Sequence, residues 1–150
     1  MYYHILVPLD GSSLSEQTLL HVRALAEGRK DVKITLIRAV PPIYPTVVEF
    51  GMAHHPSEME DELLRLEKSV QEYLSAIARE LAADGMQVQT ELSRLDPGDA
   101  IMDYAENHGV DLIVIATHGR SGIGRWLLGS VTQKVVQAAR VPVLVIRPTD

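Results

Sequence analysis

The residues best suited to chemistry lie between Ala116 and Thr132. Gly119, Gly122, Gly124 and Gly129 share this stretch with Arg120 and Arg125, and helix-forming sequence opens at Ser130. Glycine lets a backbone adopt positive φ and approach a ligand closely. Unpaired amides at a helix start, with the dipole behind them, favour anions. Together these features suit a phosphate-bearing ligand. Two common phosphate motifs do not fit. Gly124 and Gly129 have P-loop spacing, but Ser130 stands where the lysine belongs. Gly122-x-Gly124 opens a dinucleotide fingerprint, but Leu127 replaces its third glycine. The pattern that holds is small-x2-Gly-x9-Gly-Ser, at Ala116, Gly119, Gly129 and Ser130. Far away in the chain, Asp10 ends an apolar run. Its short carboxylate suits either ribose hydroxyls or an Asx-type turn with the amides of Gly11 or Ser12.

These residues depend on an alternation of strands and helices. Residues 3–7, 32–40, 86–92, 111–117 and 141–147 read as strands. Ser13-x-x-Glu16 has capping-box spacing for a first helix that closes at Gly28, and Ser57-x-x-Glu60 opens a second. In the second, Met59, Leu63, Leu66, Val70, Leu74, Ile77 and Leu81 form one apolar face, which reads as core. Asp96-Pro97 starts a third helix that runs to Gly109, and the fourth spans residues 130–140. Five strands separated by helices predict one α/β domain over residues 1–150. Its sheet is parallel and doubly wound, in the order 3-2-1-4-5, with helices on both faces. Ligands of such sheets sit beyond the carboxyl ends of the strands, where the winding reverses. That crevice falls between the first and fourth strands, so Asp10 and Thr117-His118-Gly119 should meet there.

Composition narrows the ligand. The 150 residues have no cysteine, which excludes disulfides and thiolate zinc sites. A net charge of −6 argues against nucleic acid or acidic lipid as partner. No carboxylate occurs between Asp111 and Asp150, so the arginine-bearing loop suits a small anion. The first ten residues lack a basic segment and a long apolar run, and no stretch approaches membrane-spanning length. A cytoplasmic protein is the expectation.

The motif resembles the nucleotide-binding signature of the universal stress protein family, Gly-x2-Gly-x9-Gly-(Ser/Thr), with Ala116 in place of the first glycine. The likeness extends over residues 5–12 and 141–147. It implies an adenine nucleotide alpha hydrolase-like fold, the ATP-binding branch of the family, and ATP with Mg²⁺ or Mn²⁺ on its phosphates. The carried-over contacts are Asp10 on the ribose, with Pro8 and Leu9 beside it, and the backbone of Ala39 and Val40 on the adenine edge. Ile115 packs against the base or is an ordinary buried strand residue, the Ala116 methyl stands near the ribose or phosphate, and His118 shapes the loop. Gly119, Arg120, Gly129, Ser130, Val131 and Thr132 take the phosphates. The family also implies a homodimer through the last strand, an apolar edge at Val143 to Ile146.

Several residues keep two readings. Ser130-Val-Thr-Gln133 is a capping box, so the Ser130 hydroxyl suits its own helix as well as a phosphate. Arg120 suits a phosphate or open solvent, and Trp126 suits a plug for the loop or a subunit contact. His54-His55 lacks a third metal ligand at convincing spacing and reads as polar loop. The glycine loop has no carboxylate and no P-loop lysine, which favours a nucleotide-dependent stress sensor, at most a slow ATP hydrolase. The alternative is a nucleotide-free dimeric interaction module of the same family. A flavin carrier is disfavoured by the scarcity of aromatics near the loop. A phospho-receiver is disfavoured by the missing acidic pair and late lysine.

Overall fold

Runs of branched apolar residues bounded by glycines build the centre of the molecule. A computed structural model describes residues 1–42, 56–117 and 128–148. It contains the strands β1 (His4–Pro8), β2 (Lys33–Ala39), β3 (Gln87–Ser93), β4 (Leu112–Ala116) and β5 (Val143–Ile146). All pair in parallel, in the order β3-β2-β1-β4-β5, which is the expected order. The helices are α1 (Ser13–Glu16), α2 (Thr18–Ala26), α3 (Pro56–Ala83), α4 (Pro97–Asn107) and α5 (Ser130–Ala138). Residues of α2 and α3 such as Val22, Val70 and Leu74 bury against one sheet face, with Ile5, Val7 and Leu36. Residues of α4 and α5 such as Ile101, Tyr104 and Val135 bury against the other, with Leu6, Ile37 and Ile113. The sheet is therefore covered on both sides, as parallel sheets require.

Glycine stops stand where the sequence puts them. Gly28, Gly85 and Gly109 all have positive φ just after α2, α3 and α4. The first predicted helix is interrupted at Gln17, whose N–H reaches both Leu14 and Ser15 carbonyls, a tightened turn between α1 and α2. Its N-cap is Ser12, not Ser13: the Ser12 hydroxyl accepts from the Ser15 amide at 3.1 Å. Glu16 does not close a box but accepts from the Tyr73 hydroxyl. Helix α3 begins at Pro56, so Ser57 lies inside it.

The apolar stripe of α3 is core only in its second half. Val70, Leu74, Ile77 and Leu81 are buried, Leu63 is half-buried, and Leu66 is 44% exposed. A helix of 28 residues spans about 42 Å, whereas the seven-residue β2 beneath it spans about 23 Å, so α3 overhangs the sheet.

One buried polar cluster crosses the α4 face. His4 Nδ1 lies 3.0 Å from the His108 carbonyl, which only accepts, so Nδ1 carries the proton. Its Nε2 then accepts from the Thr35 hydroxyl at 2.8 Å. The Gln89 amide donates to Thr35 Oγ1 and to the Tyr104 hydroxyl. Burial is the main cause holding the His4 imidazole below its ordinary pKa, reinforced by Lys33.

Candidate functional site

The carboxyl ends of β1 and β4 flank a crevice of about 270 Å³. Pro8, Leu9 and Asp10 line it from the end of β1, and Ile115 and Ala116 from the end of β4. Ala39 contributes from β2, and Gly129, Ser130, Val131 and Thr132 from the start of α5. Segments more than a hundred residues apart thus meet at the winding reversal, where ligands of doubly wound sheets sit.

Asp10 sits in an Asx turn. Its Oδ1 accepts from the Ser12 amide at 2.9 Å and from the Ser12 hydroxyl at 2.6 Å. The Ser15 hydroxyl donates to the Ser12 carbonyl at 2.9 Å and accepts from the Asp10 amide at 3.4 Å. The turn needs Gly11 at φ +83°, a conformation that L side chains rarely adopt. Asp10 is exposed at the crevice mouth, and Ser15 is buried in the wall.

At the opposite wall, the start of α5 differs from the capping box expected of Ser130. The N-cap is Gly129, with no side-chain cap, and Ser130 is the first helical residue. A cap one residue earlier leaves the first-turn amides facing the crevice without the Ser130 hydroxyl bonded across them. Thr132 turns inward instead. It is 3% exposed, and its hydroxyl donates to the Ala116 carbonyl at 3.0 Å, tying α5 to the end of β4.

Val40 does not join the crevice lining; it is buried, and its N–H donates to the Ser93 carbonyl at 2.7 Å. His118, Gly119 and Arg120 lie outside the described residues, as do Arg125, Trp126, His54 and His55. The crevice also uses residues that sequence reasoning did not single out: Ser15, Ile37, Pro97, Ala100 and Ile101. Ile37 was within reach, since it lies two residues before Ala39 on the same strand face. The α4 wall is set by how closely α4 and α5 approach. A Cβ on Gly98 would stand 2.6 Å from Lys134 Cδ, and Lys134 Nζ pairs with Asp99 at 2.6 Å. Small residues at 98 and 100 were the only trace of this in the sequence.

The fold and the crevice define a doubly wound α/β domain with an open cavity at the winding reversal, and comparison with known proteins gives it a family. Residues 1–147 match the model of the universal stress protein family. The chain is 34% identical to Universal stress protein MJ0531 of Methanocaldococcus jannaschii, over 98% of this chain and 83% of that protein. It is 31% identical to Universal stress protein YxiE of Bacillus subtilis, over 98% and 100%. The solved structure of UspA from Lactobacillus plantarum superposes with a TM-score of 0.77 at 26% identity, covering 97% of this chain and 98% of that one. A universal stress protein from Archaeoglobus fulgidus, solved in complex with dAMP, shares the fold with a TM-score of 0.64 at 22% identity, covering 97% and 98%. This chain belongs to the universal stress protein family. Among the described residues no helix is long and apolar enough to cross a membrane.

Proposed function

We propose that this protein binds ATP in the crevice between β1 and β4 and acts as a cytoplasmic, nucleotide-dependent stress sensor or regulator. The observation that carries this reading is the convergence of the Asp10 turn and the side-chain-free N-cap of α5 on one cavity. The carboxylate suits a ribose, and the amides of Ser130, Val131 and Thr132 suit phosphate oxygens. The Archaeoglobus fulgidus protein, solved in complex with dAMP, supports an adenine nucleotide as the ligand class.

Backbone direction along β2 supports adenine as the base. The Ile37 carbonyl receives the Leu9 N–H on the β1 side, while the Val40 N–H turns to Ser93 on the β3 side. Alternation then aims the N–H and C=O of Ala39 to the β1 side, past the end of β1. An adjacent donor and acceptor complement N1 and the 6-amino group of adenine, and oppose the edge of guanine. Ile37, Ile115 and Ile101 supply apolar contacts for the ring. In this reading Gly119, Arg120 and His118 complete the phosphate end, and Mg²⁺ or Mn²⁺ rides on the phosphate oxygens. Asp10 is the only carboxylate in the described lining, and Ser12 already holds it. Sensing is therefore favoured over rapid hydrolysis.

Calorimetry with ATP, AMP and GTP tests the reading: adenine nucleotides should bind and GTP should not. Absence of heat or retention at millimolar ATP overturns it. One observation favours the nucleotide-free module: the Ala116 methyl stands in the crevice wall where the family motif has glycine. A mass spectrum of small molecules released on denaturation separates the two. We also propose a homodimer through β5, an edge strand whose residues Val143 to Val145 are only half-buried. A monomer by light scattering at micromolar concentration overturns that assembly.

A further inference from the structure

The turn that presents Asp10 rests on a structure of its own beneath the sheet end. Arg38 follows Ile37 in β2 and so points to the opposite face, towards α1 and α3. A Cβ built on Gly11 would stand 2.6 Å from Arg38 Nη1 and 3.1 Å from Cζ, so the guanidinium lies directly against the glycine α-carbon. Arg38 Cζ is also 5.5 Å from the centre of the Tyr73 ring, within cation–π range. The Tyr73 hydroxyl donates to Glu16 Oε1 at 2.9 Å. Burial, then the Glu16 carboxylate, pushes the phenol above its ordinary range, so it remains a donor at any physiological pH. Helix α1 has four residues, too few to be stable alone. Its start is held by Asp10 and Ser12, and its end by Tyr73.

We propose that Arg38 is a positioning residue for the Asp10 turn and forms a matched pair with Gly11. The guanidinium, in contact with Gly11 and over the Tyr73 ring, fixes the backbone at Gly11. That backbone sets Ser12, and Ser12 sets the carboxylate that reads the ribose. A side chain at position 11 displaces Arg38, and loss of Arg38 lets the turn rotate. The ribose part of this inference rests on the nucleotide reading above; the pairing of Gly11 with Arg38 does not.

Two measurements separate them. In nucleotide-free protein, urea unfolding of Gly11→Ala, Arg38→Met and the double variant forms a cycle. The alanine should cost less when Arg38 is absent, because only the strain of positive φ remains. Additive costs overturn the matched pair. Calorimetry with ATP, 2′-deoxy-ATP and 3′-deoxy-ATP then reads the ribose. The wild type should prefer ATP, and Arg38→Met should cut that preference about fivefold, the scale of one hydrogen bond. A merely structural residue would weaken all three nucleotides alike. If Arg38→Met fails to fold, Tyr73→Leu removes the ring under the guanidinium and should erode the same preference. A preference kept intact in the folded variant overturns the positioning role. A wild type that binds no nucleotide overturns the nucleotide reading and the ribose role with it, and leaves the stability cycle to decide the pair.

Discussion

Thr132→Val isolates the tie between the two sides of the crevice. Valine is nearly isosteric with threonine, so packing at this 3% exposed site is preserved and one donor is lost. The abandoned acceptor is the Ala116 carbonyl, 3.0 Å from Thr132 Oγ1. The Thr117 N–H turns to the β5 side, to Ile146, so the Ala116 carbonyl turns to the β1 side, where β1 and β4 have stopped pairing. It therefore looks into the crevice, where water can enter. An unsatisfied buried carbonyl costs about 1–3 kcal/mol, and partial hydration places this one near about 1–2 kcal/mol. With a urea m-value of about 2 kcal/mol/M, the unfolding midpoint should fall by about 0.5–1 M. Thr132→Ser is the control. It keeps the donor and loses a methyl, at a cost of about 1 kcal/mol, so stability alone does not distinguish the two. Affinity does: only valine should weaken ATP binding, because only valine frees the first turn of α5 from β4. An unchanged urea midpoint in the valine variant would refute the hydrogen bond. Equal ATP affinity in the two variants would refute the placement argument.

Ser130→Ala should change the unfolding free energy from urea titration little, by less than about 0.5 kcal/mol, because Gly129 is the N-cap; a capping serine would cost about 1 kcal/mol. Leu74→Ala should cost about 2–5 kcal/mol and Leu66→Ala under about 1 kcal/mol, since Leu74 is wholly buried and Leu66 is 44% exposed; urea titrations compare them directly. His4 is held below its ordinary pKa by burial, then by Lys33, so the unfolded chain binds more protons than the folded one. Stability should therefore be full above the ordinary histidine value of 6.5 and fall as pH drops below it. Urea midpoints at neutral and mildly acidic pH measure the slope, and His4→Gln should flatten it.

The parallel, doubly wound sheet was legible because it needs only the alternation of strands and helices, whereas its order, 3-2-1-4-5 and not 2-1-3-4-5, follows the family resemblance. Strongly apolar runs such as Leu112–Ala116 admit few other assignments, and Gly28, Gly85 and Gly109 end the helices from within the chain. Caps were less legible, for a local reason. In Gly11-Ser12-Ser13 two adjacent serines compete for the N-cap, only Ser13 has a box partner in Glu16, and the decision is tertiary. Tyr73 on α3 draws Glu16 away from Ser13, while Asp10 fixes Ser12. The α3 stripe shows a related limit. Periodicity tells which face of a helix is apolar, but the length of the sheet beneath decides how much of that face is covered.

Ser130 shows how such a displacement bears on function. As an N-cap it would bond its hydroxyl across the first amides of α5, and any phosphate would have to displace that bond or share the amides with it. With Gly129 as the cap, that side-chain competitor is absent, while the Thr132 hydroxyl anchors the helix to Ala116. Moving the cap by one residue thus separates two tasks that the sequence pattern assigns to one serine: holding the helix against β4 and leaving its first turn open. The Asp10 side divides its tasks in the same way, with Ser12 and Arg38 in support and the carboxylate at the crevice mouth. Both walls therefore rely on a supporting side chain, Thr132 at one and Arg38 at the other, and at neither wall does the supporting contact follow from spacing along the chain.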